Sequence, residues 1–293
     1  MSTQPVERDD ATAAAPTDGA AVDRIATTFS RLRTDGRAGF VPFIMAGDPD
    51  LDVTLELLRA AAAAGADLIE LGVPFSDPMA DGPVNQRSAE RALAGGTAMP
   101  GILAVVARFR ATSEVPIILF GYANPFVQYG PERLARDARA SGVDGLLCID
   151  MPPEEADELQ PALDAAGIAM VFLLAPTSDT ARRTRVLGRA RGFVYYVSIT
   201  GVTGAAAPDV GEVAAMVRTV QRETALPVGV GFGIRTPEHA AATARIADAV
   251  VVGSAVMQLV ETHHGSEVVA VVGEFLGRMA AAVHRARHAD DPA

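Results

Sequence analysis

Ala64-Gly65-Ala66-Asp67-Leu68-Ile69 decides the fold, because the chain returns to its form. Ser141-Gly142-Val143-Asp144-Gly145-Leu146, Ala166-Gly167-Ile168-Ala169-Met170-Val171 and Arg191-Gly192-Phe193-Val194-Tyr195-Tyr196 repeat it. Each reads as a helix end, a glycine free to turn the chain, and a buried strand. From Gly142 to Gly167 to Gly192 the step is 25 residues each time. One strand and one crossover helix fill that length.

The same pattern extends outward from these four segments. Short apolar runs predict strands at Phe40–Ala46, Leu68–Val73, Val115–Phe120, Gly145–Ile149, Ile168–Leu174, Phe193–Ser198, Pro227–Gly231 and Ala249–Gly253. Between them, helical spacing predicts helices that include Leu51–Ala64, Pro131–Ala140, Glu154–Ala166 and Val210–Glu223. Pro131 and Pro153 suit first helical turns, and Gly65, Gly142 and Gly167 suit the position after a helix. Val22, Ile25, Phe29 and Leu32 add an N-terminal amphipathic helix. Strands apolar on both faces, alternating with helices, imply a covered parallel sheet. Eight such units without a dinucleotide glycine fingerprint at the first turn favour a single-domain (β/α)8 TIM barrel over an open doubly wound sheet. The expected boundaries are a disordered tail over 1–21, a barrel over 22–285 and a flexible end over 286–293.

Composition removes several classes. The formal net charge of -11 argues against a nucleic-acid footprint. One cysteine, Cys148, excludes an internal disulfide framework and reads as an inert core thiol. His239, His263, His264, His284 and His288 form no HExxH pair, so no metal is expected. No charge-free apolar run approaches the roughly 20 residues that span a bilayer, and no secretory signal precedes the barrel. A cytoplasmic enzyme is the expectation.

In this barrel, chemistry is built where strands end. Glu70 interrupts an apolar strand, sharing a face with Leu68 and Gly72 while Ile69 and Leu71 share the other. If the aliphatics pack under helices, Glu70 points into the barrel. Burial then raises its pKa toward neutrality, as suits a proton donor and acceptor. A core glutamate held by an ion pair is the alternative. In the following loop, Asp77 precedes Pro78 and is expected to shape the turn. Asp81 lies between Ala80 and Gly82, either as an acceptor over a ligand or as a helix cap. Gly201–Gly204, Gly229–Gly233 and Gly253-Ser254 follow the last three strands, and glycine N–H groups at a helix start suit a phosphate. Gly201–Gly204 also reads as a mobile lid loop. Phe43, Phe120 and Phe232 sit near strand ends and either wall a flat aromatic ligand or pack the core. Only one of Tyr195 and Tyr196 can face inward; with Val197 taken as outward, it is Tyr195.

Glu70-Leu71-Gly72-Val73-Pro74-Phe75-Ser76-Asp77-Pro78-Met79-Ala80-Asp81-Gly82-Pro83 resembles the tryptophan synthase alpha chain family. Pro42–Pro49, Tyr122-Ala123-Asn124-Pro125, Asp150-Met151-Pro152, Tyr195–Ser198, Gly201–Gly204 and Gly231–Ile234 share the likeness. The resemblance implies retro-aldol cleavage of indole-3-glycerol phosphate to indole and glyceraldehyde 3-phosphate. By its motifs, Glu70 is the acid/base and Asp81 accepts from the indole N–H. Gly204, Gly233, Gly253 and Ser254 take the phosphate. Phe43, Phe120, Tyr195, Thr203 and Phe232 wall the pocket, with Thr203 helping the loop close beside Asp81. The family implies no cofactor in this chain. It implies a pyridoxal-phosphate beta chain as partner, in a complex of two alpha and two beta chains. Phe120 stands where an aliphatic is common, and Ile199-Thr200 replaces an Arg-containing form before Gly201-Val202-Thr203-Gly204. Two rivals remain at this point: a free-standing lyase that releases indole, and a noncatalytic barrel that binds a phosphorylated ligand and activates a partner.

Overall fold

The computed structural model describes residues 23–197, 210–231, 233–265 and 267–286. In chain order the elements are α1 (Arg24–Thr34), β1 (Gly39–Met45), α2 (Leu51–Ala63), β2 (Ile69–Gly72), α3 (Pro83–Ala94), α4 (Met99–Arg110), β3 (Ile117–Gly121), α5 (Ala123–Tyr129) and α6 (Pro131–Ser141). They continue with β4 (Gly145–Cys148), α7 (Gln160–Ala165), β5 (Ala169–Leu174), α8 (Thr180–Arg189), β6 (Val194–Val197) and α9 (Val210–Glu223). The last are β7 (Val228–Gly231), α10 (Pro237–Ala244), β8 (Ala249–Val252), α11 (Ser254–Thr262) and α12 (Glu267–Arg285). The strands pair in parallel and in sequence order, and β8 closes on β1. This is the closed barrel rather than the open sheet.

Two residue types at the helix-to-strand turns illustrate how the sequence builds it. Gly65, Gly142 and Gly167 take φ values of 98°, 88° and 69°, the left-handed turn that sends a helix back into a strand. Asp67 and Asp144 of the repeated motif, and Asp248 before β8, then start the next strand. Asp67 donates its N–H to Phe40 O at 2.9 Å and accepts from Phe40 N–H through Oδ2 at 3.0 Å. Asp144 makes the same pair of bonds with Ile117, at 3.0 and 2.9 Å. Asp248 makes it with Val228, at 2.9 and 2.8 Å. Each carboxylate thus fixes the register of its strand against the one before.

Side-chain alternation separates two apolar regions. Ile69, Leu71 and Tyr196 pack outward under the helices. Val41, Leu68, Ile118, Leu147, Val171, Phe193, Tyr195, Ala249 and Val251 fill the interior, where Ile25, Phe29 and Leu32 of α1 join them. The N-terminal helix, capped by Asp23 on Ala26 N–H at 2.9 Å, is therefore a plug for the barrel floor. Val197 packs against this same interior group, so it shares the face of Tyr195 and is not outward. The two-residue strand period requires this.

One predicted helix is broken. Over Glu154–Ala166 the chain forms a short 3-10 turn, Ala156–Glu158, and only then α7. Pro161 has no N–H to donate and its ring crowds the carbonyl four residues earlier, so one helix cannot run through. Pro153 accordingly lies in a turn and not in a first helical turn. No single described helix is long and apolar enough to cross a membrane. The expected tail over 1–21 and nearly all of the expected flexible end lie outside the described residues.

Candidate active site

β2 carries Glu70 into the barrel, with Phe43 of β1 and Ile118 of β3 beside it in register. Glu70 is 1% exposed, and its Oε1 has no hydrogen-bond partner. No ion pair holds it among the described residues. Burial alone pushes its carboxyl up to about 8. A protonated carboxylic acid is the resting form that follows near neutral pH, and it can return as a base once the proton is given.

After β2 the chain turns through a proline-rich loop to Asp81, immediately before the Gly82 N-cap of α3. Asp81 does not cap that helix, which has no side-chain cap bond. Tyr122, directly after β3, donates its hydroxyl to Asp81 Oδ2 at 2.9 Å and accepts from Ala80 N–H at 3.0 Å. Gln86 Nε2 donates to Asp81 O at 2.9 Å and Pro78 O at 3.3 Å. The Phe75 ring lies 5.4 Å from that of Tyr122, completing the brace. Burial raises the Asp81 pKa, and hydrogen bonds from Tyr122 and Asn85 work against it. Asp77 stays exposed, its carbonyl accepting from Met79 N–H at 2.9 Å as a turn residue does.

The apolar wall forms around these acids. The Phe43 and Phe120 rings meet edge-on, 5.2 Å apart at 75°. A side chain at Gly72 would fall 2.6 Å from the Phe43 ring, and one at Gly253 would fall 3.5 Å from Phe43 Cβ. Phe43 therefore spans from the Glu70 strand to the start of α11. Across the barrel Tyr195 is buried, and its phenol pKa is raised by burial and by the charges of Glu70 and Asp81. Its hydroxyl occupies space that a Cβ at Gly231 would invade at 2.1 Å. That glycine lets the ring lie toward the acids.

Gly253 is the N-cap of α11, and no side chain caps that helix. Ser254 opens it. Gly233 turns with φ 68°, and nothing lies within 4 Å of where a Cβ would stand. Open backbone N–H groups at a helix start favour an anion. Thr203, Gly204 and Phe232 lie outside the described residues. Cys148 is buried, its thiol pKa pushed up by burial and by Asp150, as an inert core thiol requires. Among the described residues no cluster of His, Cys, Asp and Glu fits a metal ion.

Sequence reasoning passed over Tyr122 as a working residue, although a polar aromatic directly after a strand was visible. It also passed over a buried brace. Asp48, after β1, takes Arg91 of α3 at 2.9 and 2.7 Å and a bond from Ser88. Arg91 and Arg87 both reach Glu261 of α11. The helix after Asp81 is thus fastened to the helix that starts at Ser254.

The sequence profile of the tryptophan synthase alpha chain matches residues 29–284. The alpha chain of Burkholderia multivorans is 52% identical over 263 residues, 89% of this chain and 97% of that one. That of Leptothrix cholodnii is 50% identical over the same shares. The solved alpha subunit from Legionella pneumophila superposes with a TM-score of 0.84 at 38% identity, covering 90% of this chain and 99% of that one. A closed barrel with an acid pair at its mouth and near-complete matches to these proteins lead to one conclusion: the chain belongs to the tryptophan synthase alpha chain family.

Proposed function

We infer that this chain is the lyase of its family, cleaving indole-3-glycerol phosphate to indole and D-glyceraldehyde 3-phosphate. The observation that carries the reading is Glu70, a carboxylic acid buried in the barrel mouth without a partner and raised to about 8. Protonated Glu70 gives its proton to indole C3, which turns the ring into an electron sink. The resulting carboxylate then takes the proton of the glycerol hydroxyl as the carbon–carbon bond breaks, and the electron pair returns to indole. Asp81, aimed by Tyr122, accepts from the indole N–H and offsets the positive charge on the protonated ring.

Phe43, Phe120, Tyr195 and Phe232 would hold the flat ring, and Gly204, Gly233, Gly253 and Ser254 the phosphate. Thr203 would position the closing loop beside Asp81. Phosphate binding then holds the reacting bond against Glu70. The chain itself would need no cofactor. A beta chain would receive the indole and carry pyridoxal phosphate, in a complex of two chains of each kind. A cytoplasmic location goes with this reading.

The experiment follows indole and glyceraldehyde 3-phosphate together from indole-3-glycerol phosphate, with and without a beta chain. Equal amounts of the two products, faster with the beta chain, are expected. Equal output that the beta chain leaves unchanged would mark a free-standing lyase, and binding without products would mark a noncatalytic barrel.

A further inference from the structure

Two buried side-chain polar atoms have no hydrogen-bond partner among the described residues: Glu70 Oε1 and Asn85 Oδ1. Folded proteins pair such atoms almost without exception, because a polar atom taken from water with nothing in return is costly. The exception at Glu70 belongs to the reaction. Asn85 lies next to the other acid. It is the third residue of α3, a position whose side chain reaches back toward the helix start, and Asp81 immediately precedes that start.

The orientation of the Asn85 amide follows from chemistry. It faces the Asp81 carboxylate as a hydrogen-bond donor, and an amide can donate only through its NH2 end. The oxygen is then the end left over, closed to solvent and unmatched. A leucine would fill the same shape with no orphaned atom. A polar group kept at this place has a use when a donor arrives. We propose that Asn85 contacts the substrate, its Oδ1 accepting a hydrogen bond from an N–H or O–H of the bound molecule while its NH2 steadies Asp81.

The inference rests on the proposed cleavage of indole-3-glycerol phosphate, which offers two kinds of donor, the indole N–H and the glycerol hydroxyls. Asn85→Leu separates the possibilities. KM for the substrate rises about tenfold, because a site built to pair a donor loses that pairing. Thermal stability of the ligand-free variant stays near that of wild type, since the unmatched oxygen and the bond to Asp81 are lost together; an asparagine that serves only the fold would lower it. Calorimetry with indole-3-propyl phosphate, which keeps the indole N–H and lacks the hydroxyls, tells the donors apart. Analogue binding that Asn85→Leu weakens even in an Asp81→Asn background assigns the contact to the N–H, weakening that vanishes in that background overturns the contact, and unchanged analogue binding with a raised KM assigns it to a hydroxyl. KM and analogue affinity both within twofold of wild type, or a loss that merely follows a lower melting temperature, overturn the proposal. Wild-type cleavage, measured alongside, keeps that outcome separate: if the wild type does not cleave, the parent reading fails, and this one with it.

Discussion

Glu70 shows how one residue ties stability to pH. Its folded pKa of about 8 lies above the ordinary 4.5, so the folded state holds the proton more tightly than the unfolded one. The stability that goes with it is complete below the ordinary value and is lost as pH rises through about 8. Glu70→Gln keeps the shape and cannot ionise. It should match wild type in thermal melts at pH 5 and exceed it at pH 9 by about 1–3 kcal/mol. Equal stability at both pH values would show that Glu70 is not a strained acid. Tyr122→Phe removes the donor to Asp81 and the acceptor for Ala80 N–H. A hydrogen bond to a charged group is worth roughly 1.5–3 kcal/mol, so kcat/KM should fall about ten- to hundredfold. Losing that donor also raises the Asp81 pKa, so the acid limb of the pH–rate profile should move upward. Glu70 was legible in the sequence because a carboxylate inside an apolar strand is anomalous on its face. Tyr122 was not, because its meaning depends on Asp81, which lies on another turn of the barrel.

Strands and their turns were the most readable elements. The glycines after α2, α6 and α7 announce left-handed turns, and each predicted strand has its counterpart. Pro161 carried the information that broke the predicted helix at Glu154–Ala166, and the helical spacing around it masked that. Interior glycines were harder to interpret, since sequence does not say what approaches them. Gly231 on β7 faces the Tyr195 hydroxyl of β6, 2.1 Å from where a methyl group would sit. Gly231→Ala must displace that ring, which costs about 1–3 kcal/mol by overpacking. Urea titration should show the loss, and adding Tyr195→Phe should recover part of it by removing the oxygen. No recovery would mean that the strain lies in the backbone and not against Tyr195.

At the scale of the whole molecule, the two ends of the barrel do different work. The floor is closed by α1 and by aspartates under strong cationic control. Burial raises Asp67, and hydrogen bonds from His284 and Phe40 N–H, with the charges of His284 and Arg37, outweigh it and leave its pKa lowered. Arg31 and His284 reach it at 3.0 and 2.7 Å, joining α1 and α12 to β2. Such a group stabilises the fold above the ordinary aspartate pKa, and that stability is lost as pH falls through the lowered folded value. Asp67→Asn should cost about 3 kcal/mol at neutral pH, because Arg31, Arg37 and His284 lose their shared anionic partner. It should leave kcat nearly unchanged, since the reaction belongs to the opposite end. A fall in kcat in a folded Asp67→Asn protein would contradict this division. The mouth was only partly legible. Its acids and aromatics stand out in sequence, whereas the brace through Asp48, Arg91 and Glu261 joins three distant segments whose charges look like ordinary surface residues until the barrel closes.

The most direct test of the central claim is indole release from indole-3-glycerol phosphate by wild type and Glu70→Gln, with binding of the same substrate measured in parallel. Wild type should release indole, and the variant should bind substrate with similar affinity and release essentially none. Near-wild-type turnover by Glu70→Gln would contradict the assignment of the buried acid as the group that moves the proton.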